Sequence, residues 1–254
     1  MPGAARDAAA VHVDPGRLEV VPSQPDSVRL NIGCGRSPTP DWINYDNSPS
    51  VWLARWPLSA RILARLLSGL GLIDRHALGF VEFCRGHRIR HADAARRIPH
   101  ESGSVDAIYA SHMLEHLDRA EARAFLAECR RVLKPGGILR LVVPDLRSAA
   151  YRYLRLSNAD GFLRHLQFDL DKPRGPVARL RRMLSGGRGH HWMYDRDSLV
   201  ALVAAAGFVE VEPVEEGRTR IADPGGLDLN EREADSLCLE ARRPLDREPR
   251  LTQT

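Results

Sequence analysis

VRLNIGCGRSPTPDWINYDNSP, residues 28–49, is the stretch that decides the fold: an apolar run stops at Gly33 and Gly35, and a second apolar run resumes and ends on Asp46. A chain that leaves a strand through two glycines can turn sharply and expose backbone N–H groups to a ligand at the carboxyl edge of a sheet. A carboxylate closing the next strand can accept two ribose hydroxyls. The pair therefore points to a nucleoside ligand, although a purely structural tight turn accounts for the same residues. A dinucleotide fold wants a third glycine inside the following helix and an acid about 20 residues on. Neither is present, so a pyrophosphate cradle is disfavoured.

Three apolar runs alternate with helical patterns: VRLNI (28–32), VDAIYAS (105–111) and ILRLVVP (138–144), with DRAEARAFLAECRRVL (118–133) between the last two. In that segment Ala122, Phe125, Leu126, Cys129, Val132 and Leu133 share one helical face, while Glu121, Arg123, Glu128 and Arg130 share the other. Lys134-Pro135-Gly136-Gly137 stops the helix. Strand, helix, glycine stop and strand make a βαβ unit, and short continuous apolar strands suggest a parallel sheet covered on both faces. The expected class is α/β, a doubly wound sheet. Residues 197–214 repeat the scheme, with a helix from about Ser198, a stop at Gly207 and the strand FVEVEPV, and SLCLEARR (236–243) can close an antiparallel hairpin with it. Residues 1–26, rich in Ala and Pro, read as a mobile arm ahead of a single domain over 27–243, and 244–254 read as a polar tail. Two Arg-rich excursions, at about 48–88 and 146–190, read as helical insertions covering the site.

The 254-residue chain has 43% apolar content, enough for one buried core, and shows neither a signal pattern nor an apolar stretch long enough to span a membrane. A soluble, cytoplasmic protein is expected. Cys34, Cys84, Cys129 and Cys238 form no CxxC pair, which argues against a zinc knuckle or disulfide framework. The net charge is +4, and Lys134 and Lys172 are the only lysines. That bias reads as genome composition, and nucleic acid is an unfavoured partner.

LNIGCG, WINYD, HADAARRIPHESGSVDAIYASHMLEHL and RRVLKPGGILRLVVPDL together resemble class I S-adenosylmethionine-dependent methyltransferases. The resemblance covers about residues 28–145 and again 197–243. It implies a Rossmann-like, mostly parallel sheet of seven strands with an antiparallel last strand, and the cofactor S-adenosylmethionine with S-adenosylhomocysteine as product. By position it implies that Gly33, Cys34 and Gly35 lie against the methionine and ribose, that Asp46 binds the ribose hydroxyls, and that Asp93, with Ala94 beside it, takes the adenine amino group. Ser111 and His112 would line the methionine end. Asn31 stands where the family commonly has an acid; its amide can still accept from the cofactor ammonium.

The sulfonium activates the methyl group, so the protein must align an acceptor and, for a hydroxyl, remove a proton. HMLEHL supplies His112, Glu115 and His116, VPDL supplies Asp145, and GRGHHWMYD supplies His190, His191 and Tyr194. The catalytic base is expected at His116 or His191, with Asp145 orienting it. Each has a plainer alternative: His116 packing under the loop, Asp145 capping the following helix, and His190 standing in solvent. No metal is expected, although His112, Glu115, His116 and Asp145 could converge on an ion. The excursion 53–72 suggests a lid rather than a membrane-surface helix, and Lys172, Arg174, Arg179, Arg181, Arg182 and Arg188 could hold an anionic acceptor. The expected function is methyl transfer to a hydroxyl of a small molecule or glycan, in secondary-metabolite or cell-envelope biosynthesis. N- or C-directed transfer, a nucleic-acid methyltransferase, a non-catalytic nucleoside-binding module and an NAD-dependent dehydrogenase are the alternatives.

Overall fold

The computed structural model describes residues 27–55, 58–71, 75–168, 175, 189–230 and 235–246. The N-terminal arm, the end of the tail and nearly all of the basic stretch 171–188 lie outside the described residues.

Seven strands form one sheet: β1 (Arg29–Ile32), β2 (Ile43–Asp46), β3 (Ile89–His91), β4 (Val105–Ser111), β5 (Leu133–Pro144), β6 (Val209–Pro213) and β7 (Ser236–Arg242), in the order β3-β2-β1-β4-β5-β7-β6. The pairs among β1 to β5 are parallel, and β7 runs antiparallel to both β5 and β6. The expected sheet and its reversed last strand are therefore present. β5 starts earlier than expected, because Leu133 already pairs with Val105. Lys134-Pro135-Gly136-Gly137 thus ends the helix and opens the strand, and a Cβ on Gly137 would lie 2.9 Å from the Lys134 carbonyl oxygen.

The helices are α1 (Pro49–Ala54), α2 (Leu58–Gly69), α3 (Arg75–Gly86), α4 (Arg119–Val132), α5 (Leu146–Leu156), α6 (Ala159–His165) and α7 (Arg196–Ala205). α4 starts where Asp118 accepts from the Ala120 and Glu121 amides while the Glu121 side chain accepts from the Asp118 amide, a capping box. It buries Ala122, Phe125, Leu126, Cys129 and Val132, the face read from periodicity, against the main core, which α7 joins through Leu199, Leu202 and Val203.

The opposite face, carrying Ala107, Tyr109, Ile138 and Val142, packs against Trp42, Ile221 and Leu227, the last two from the irregular segment 214–230. Arg140 and Glu240 are cross-strand partners, both buried, with Arg140 Nη1 donating to Glu240 Oε1 at 2.8 Å. The same carboxylate accepts from Thr219 Oγ1 and from the Arg220 amide, which ties segment 214–230 to the sheet. Stripping the carboxylate from such a network leaves a buried guanidinium without its counter-ion. Glu240→Ala should therefore cost about 3–5 kcal/mol in urea denaturation, whereas exposed Glu210→Ala should cost under about 1 kcal/mol.

Candidate active site

Strand order reverses between β1 and β4, and there a cavity of about 920 Å³ opens at the carboxyl ends of the strands. One end is walled by Asn31, Gly33, Cys34, Gly35, Arg36, Asp46, Asn47, Ser48 and Phe80. Ser111, His112 and Met113 form its middle, and Glu115, His116, His165, Gln167, His190 and Met193 its far end.

The glycine turn works differently from the expectation. The Gly33 and Cys34 amides both donate to the Tyr45 carbonyl, at 2.8 and 3.0 Å, and the Gly35 amide donates to Asp46 Oδ2 at 3.0 Å. These N–H groups latch the turn onto β2 instead of facing a ligand. Gly33 is required for another reason: its φ is +71°, and a Cβ there would stand 2.5 Å from Met113 Cγ. Asn31 is buried, and its amide nitrogen is held by the Ser37 carbonyl, Thr39 Oγ1 and Asn44 Oδ1, which leaves its carbonyl oxygen as the group available to an ammonium.

Asp46 ends β2 in the cavity wall, its two oxygens accepting from the Gly35 and Ser48 amides. Burial pushes its pKa above the usual carboxylate value, and the two amides oppose that shift. Ser111 Oγ is buried in the wall without a hydrogen-bond partner. A hydrogen-bonding ligand would satisfy it.

The structure does not bring Asp93 and Ala94 to this cavity. Asp93 is 40% exposed and pairs with Arg96 Nε at 3.3 Å, while Ala94 is packed in the main core. None of the described side chains of α2 lines the cavity; Ile62 and Leu66 are exposed, and the neighbouring coverage comes from Phe80 on α3 and from His165 and Gln167 at the end of α6.

At the far end, β4 stops at Ser111 and His112 takes a left-handed φ of +48°, turning the chain into a 3-10 turn over Leu114–His116. This is strain of the kind found where function fixes a side chain. The Glu115 carbonyl accepts from the His191 and Trp192 amides, at 2.8 and 3.2 Å, so the segment before α7 docks onto the turn. That docking buries His190 beside Glu115 and His116, with the His116 and His190 ring centroids 5.0 Å apart. Burial holds the His190 pKa below its usual value, and the neighbouring His116 and His112 act in the same direction against Glu115.

His116 is thus in the site, but its neighbour from the late segment is His190. His191 is exposed and lies outside the cavity wall. Asp145 lines the cavity, yet its carboxylate caps α5, accepting from the Arg147 and Ser148 amides and Ser148 Oγ; among the described residues it bonds no histidine. The carboxylate beside the histidines is Glu115. Sequence alternation could not choose between His190 and His191, since adjacent residues differ only in the side they face.

Gly33→Ala should lower stability by about 1–3 kcal/mol through its left-handed φ and the contact with Met113. Gly33→Ala/Met113→Ala should recover part of that loss in thermal denaturation. Gly35→Ala, which meets open space, should cost only about 1 kcal/mol.

Residues 71–141 match a family model described as a methyltransferase domain. An uncharacterized 37.1 kDa protein in transposon TN4556 of Streptomyces fradiae is 40% identical over 70 residues, which is 27% of this chain and 19% of that protein. The match thus spans about a fifth of that relative's length. Among solved structures, a SAM-dependent methyltransferase from Methanosarcina mazei aligns with 17% identity and a TM-score of 0.47, over 88% of this chain and 95% of that one. A SAM-dependent methyltransferase from Archaeoglobus fulgidus aligns with 14% identity and a TM-score of 0.42, over 85% and 86%. No helix among the described residues is long and apolar enough to cross a membrane. The family match runs from just after α2 into β5, and so covers the middle of the sheet, β3 and β4 with α4 between β4 and β5.

Proposed function

We propose that the protein transfers the methyl group of S-adenosylmethionine to an oxygen of a small-molecule or glycan acceptor. The observation that carries this reading is a single cavity with two chemically distinct ends. The glycine turn with Asp46 forms one end, and a cluster of Glu115, His116 and His190 forms the other.

The residues present fit the cofactor. Asp46 can accept from ribose hydroxyls, the Asn31 carbonyl can meet the ammonium, and Ser111 Oγ is an orphaned polar atom at the methionine end. When bound, S-adenosylmethionine supplies a methyl carbon already activated on sulfur, whose bond pair returns to sulfur as the acceptor oxygen forms its new bond, leaving S-adenosylhomocysteine. The chain's own contribution is alignment. Met113 packs against Gly33 at the centre of the cavity, and the far end holds the acceptor oxygen and takes its proton away. The far end offers two imidazoles and a carboxylate to a hydroxyl, which favours oxygen as the atom methylated. The imidazole beside His116 is that of His190, where the sequence reading expected His191.

Direct titration of the purified protein with S-adenosylhomocysteine tests the first half of this reading, and a screen of cell extract with isotopically labelled methyl donor, followed by mass analysis, tests the second. Asp46→Ala should weaken S-adenosylhomocysteine by about a hundredfold or more, since two hydrogen bonds to a charged group are lost. Affinity should also depend on pH. Ribose hydroxyls donate to the ionised carboxylate, and the pKa of Asp46 is raised, so binding should weaken as pH falls through that raised value. Asp46→Asn should flatten the profile. His116→Ala should leave S-adenosylhomocysteine affinity within about twofold and lower turnover by about 10²-fold or more.

A further inference from the structure

We propose that Glu115, His116 and His190 bind a divalent first-row transition-metal ion, with an open coordination position facing the cavity. One potential ligand atom from each residue lies within 4.8 Å of the others, and all three residues line the cavity. Two imidazoles and one carboxylate with an open fourth position form a catalytic type of site, and nitrogen donors favour a transition metal over Mg²⁺ or Ca²⁺.

The second, independent observation is the state of Glu115. Its side chain is 0% exposed, and neither Oε1 nor Oε2 receives a hydrogen bond. Around Oε1, His112 Nδ1 lies at 3.4 Å and His190 Nε2 at 3.9 Å. A buried carboxylate left in this way is costly, and a cation is the group that removes the cost.

The surrounding bonds suit ligation. His116 Nδ1 lies 3.4 Å from the Gly189 carbonyl, which can only accept, so Nδ1 carries the proton and Nε2 keeps its lone pair. His112, held through Nε2 by Ser236 Oγ at 3.0 Å, stands behind Glu115 as an orienting partner. Ligand atoms around an ion at about 2.0–2.2 Å lie about 3.3–3.5 Å apart in a tetrahedral site. The 3.9 Å between Glu115 Oε1 and His190 Nε2 therefore closes by a side-chain shift of well under about 1 Å.

What the ion does rests on the methyltransferase reading; that it binds does not. At the open position an acceptor hydroxyl coordinates the ion, its proton passes to water more readily than from a free alcohol, and the bound oxygen is left to attack. His116 then serves as a ligand, and no side chain of the cluster needs to be the base.

The test uses the full chain, stripped with EDTA and dialysed, then titrated calorimetrically with ZnCl₂ and, in parallel, with CoCl₂ followed by visible absorption. One ion per chain with a Kd of about 1 µM or tighter is expected, with cobalt bands of a low-coordinate site. Glu115→Gln and His190→Ala should each weaken zinc at least about tenfold, while S-adenosylhomocysteine binding persists and exposed His87→Ala changes nothing. Should Glu115→Gln fail to fold by circular dichroism, His116→Ala, on a half-buried ring, takes its place. A folded wild-type chain that takes up neither ion stoichiometrically overturns the proposal, and so does binding that survives these substitutions. Uptake of zinc without any affinity for S-adenosylhomocysteine would remove the methyltransferase reading and leave the metal site standing.

Discussion

Reversal of strand order between β1 and β4 is the constraint on which the rest of the structure depends. Neighbouring parallel strands whose chains leave in opposite directions cannot close over their own carboxyl ends, and a crevice remains there. Every group in the cavity is an answer to that opening. From β1 the chain turns back at once, because the Tyr45 carbonyl gathers the Gly33 and Cys34 amides. From β4 it turns through His112 in a left-handed conformation, which brings Met113 up against the Cα of Gly33. The two turns are packed on each other, and a side chain at position 33 would force them apart.

The second half of the site is completed by a segment some 75 residues later in the chain. Its attachment is to main chain: the His191 and Trp192 amides on the Glu115 carbonyl, and the His190 amide on the Gln167 carbonyl. Backbone docking fixes which of two adjacent histidines points inward without requiring either ring to contribute to folding. Such a division suits an active site, since the side chains remain free for chemistry while the amides hold the geometry.

The sheet, the buried face of α4 and the turn that joins Gly33 to Asp46 were legible because they depend on local rules, period and turn chemistry, while Ser111 and His112 were named from the family resemblance. The α4 face needed only a 3.6-residue repeat. What was not legible depends on distance. Asp93 follows its strand as the family pattern suggests, yet it lies outside the cavity wall, paired with Arg96. Asp145 follows a strand and precedes a helix, so capping and catalysis were equally compatible with its position, and the structure shows capping. The pairing of Arg140 with Glu240 joins residues 100 apart. Both interrupt otherwise apolar strands, with no local hint of the partner.

Glu240 and Glu115 are the two fully buried carboxylates among the described residues, and they differ in one respect. Glu240 receives Arg140, Thr219 and Arg220, and segment 214–230 is fastened to the sheet by that satisfaction. Glu115 has the same burial, sits among three imidazoles, and receives no hydrogen bond at all. A fold selected for stability alone would be expected to pair the second carboxylate as it pairs the first, or to replace it with an apolar residue of similar volume. Its presence in the cavity wall is intelligible if its partner arrives from outside the chain. At the β4 turn, strain at His112, an unsatisfied carboxylate and a docked late segment coincide.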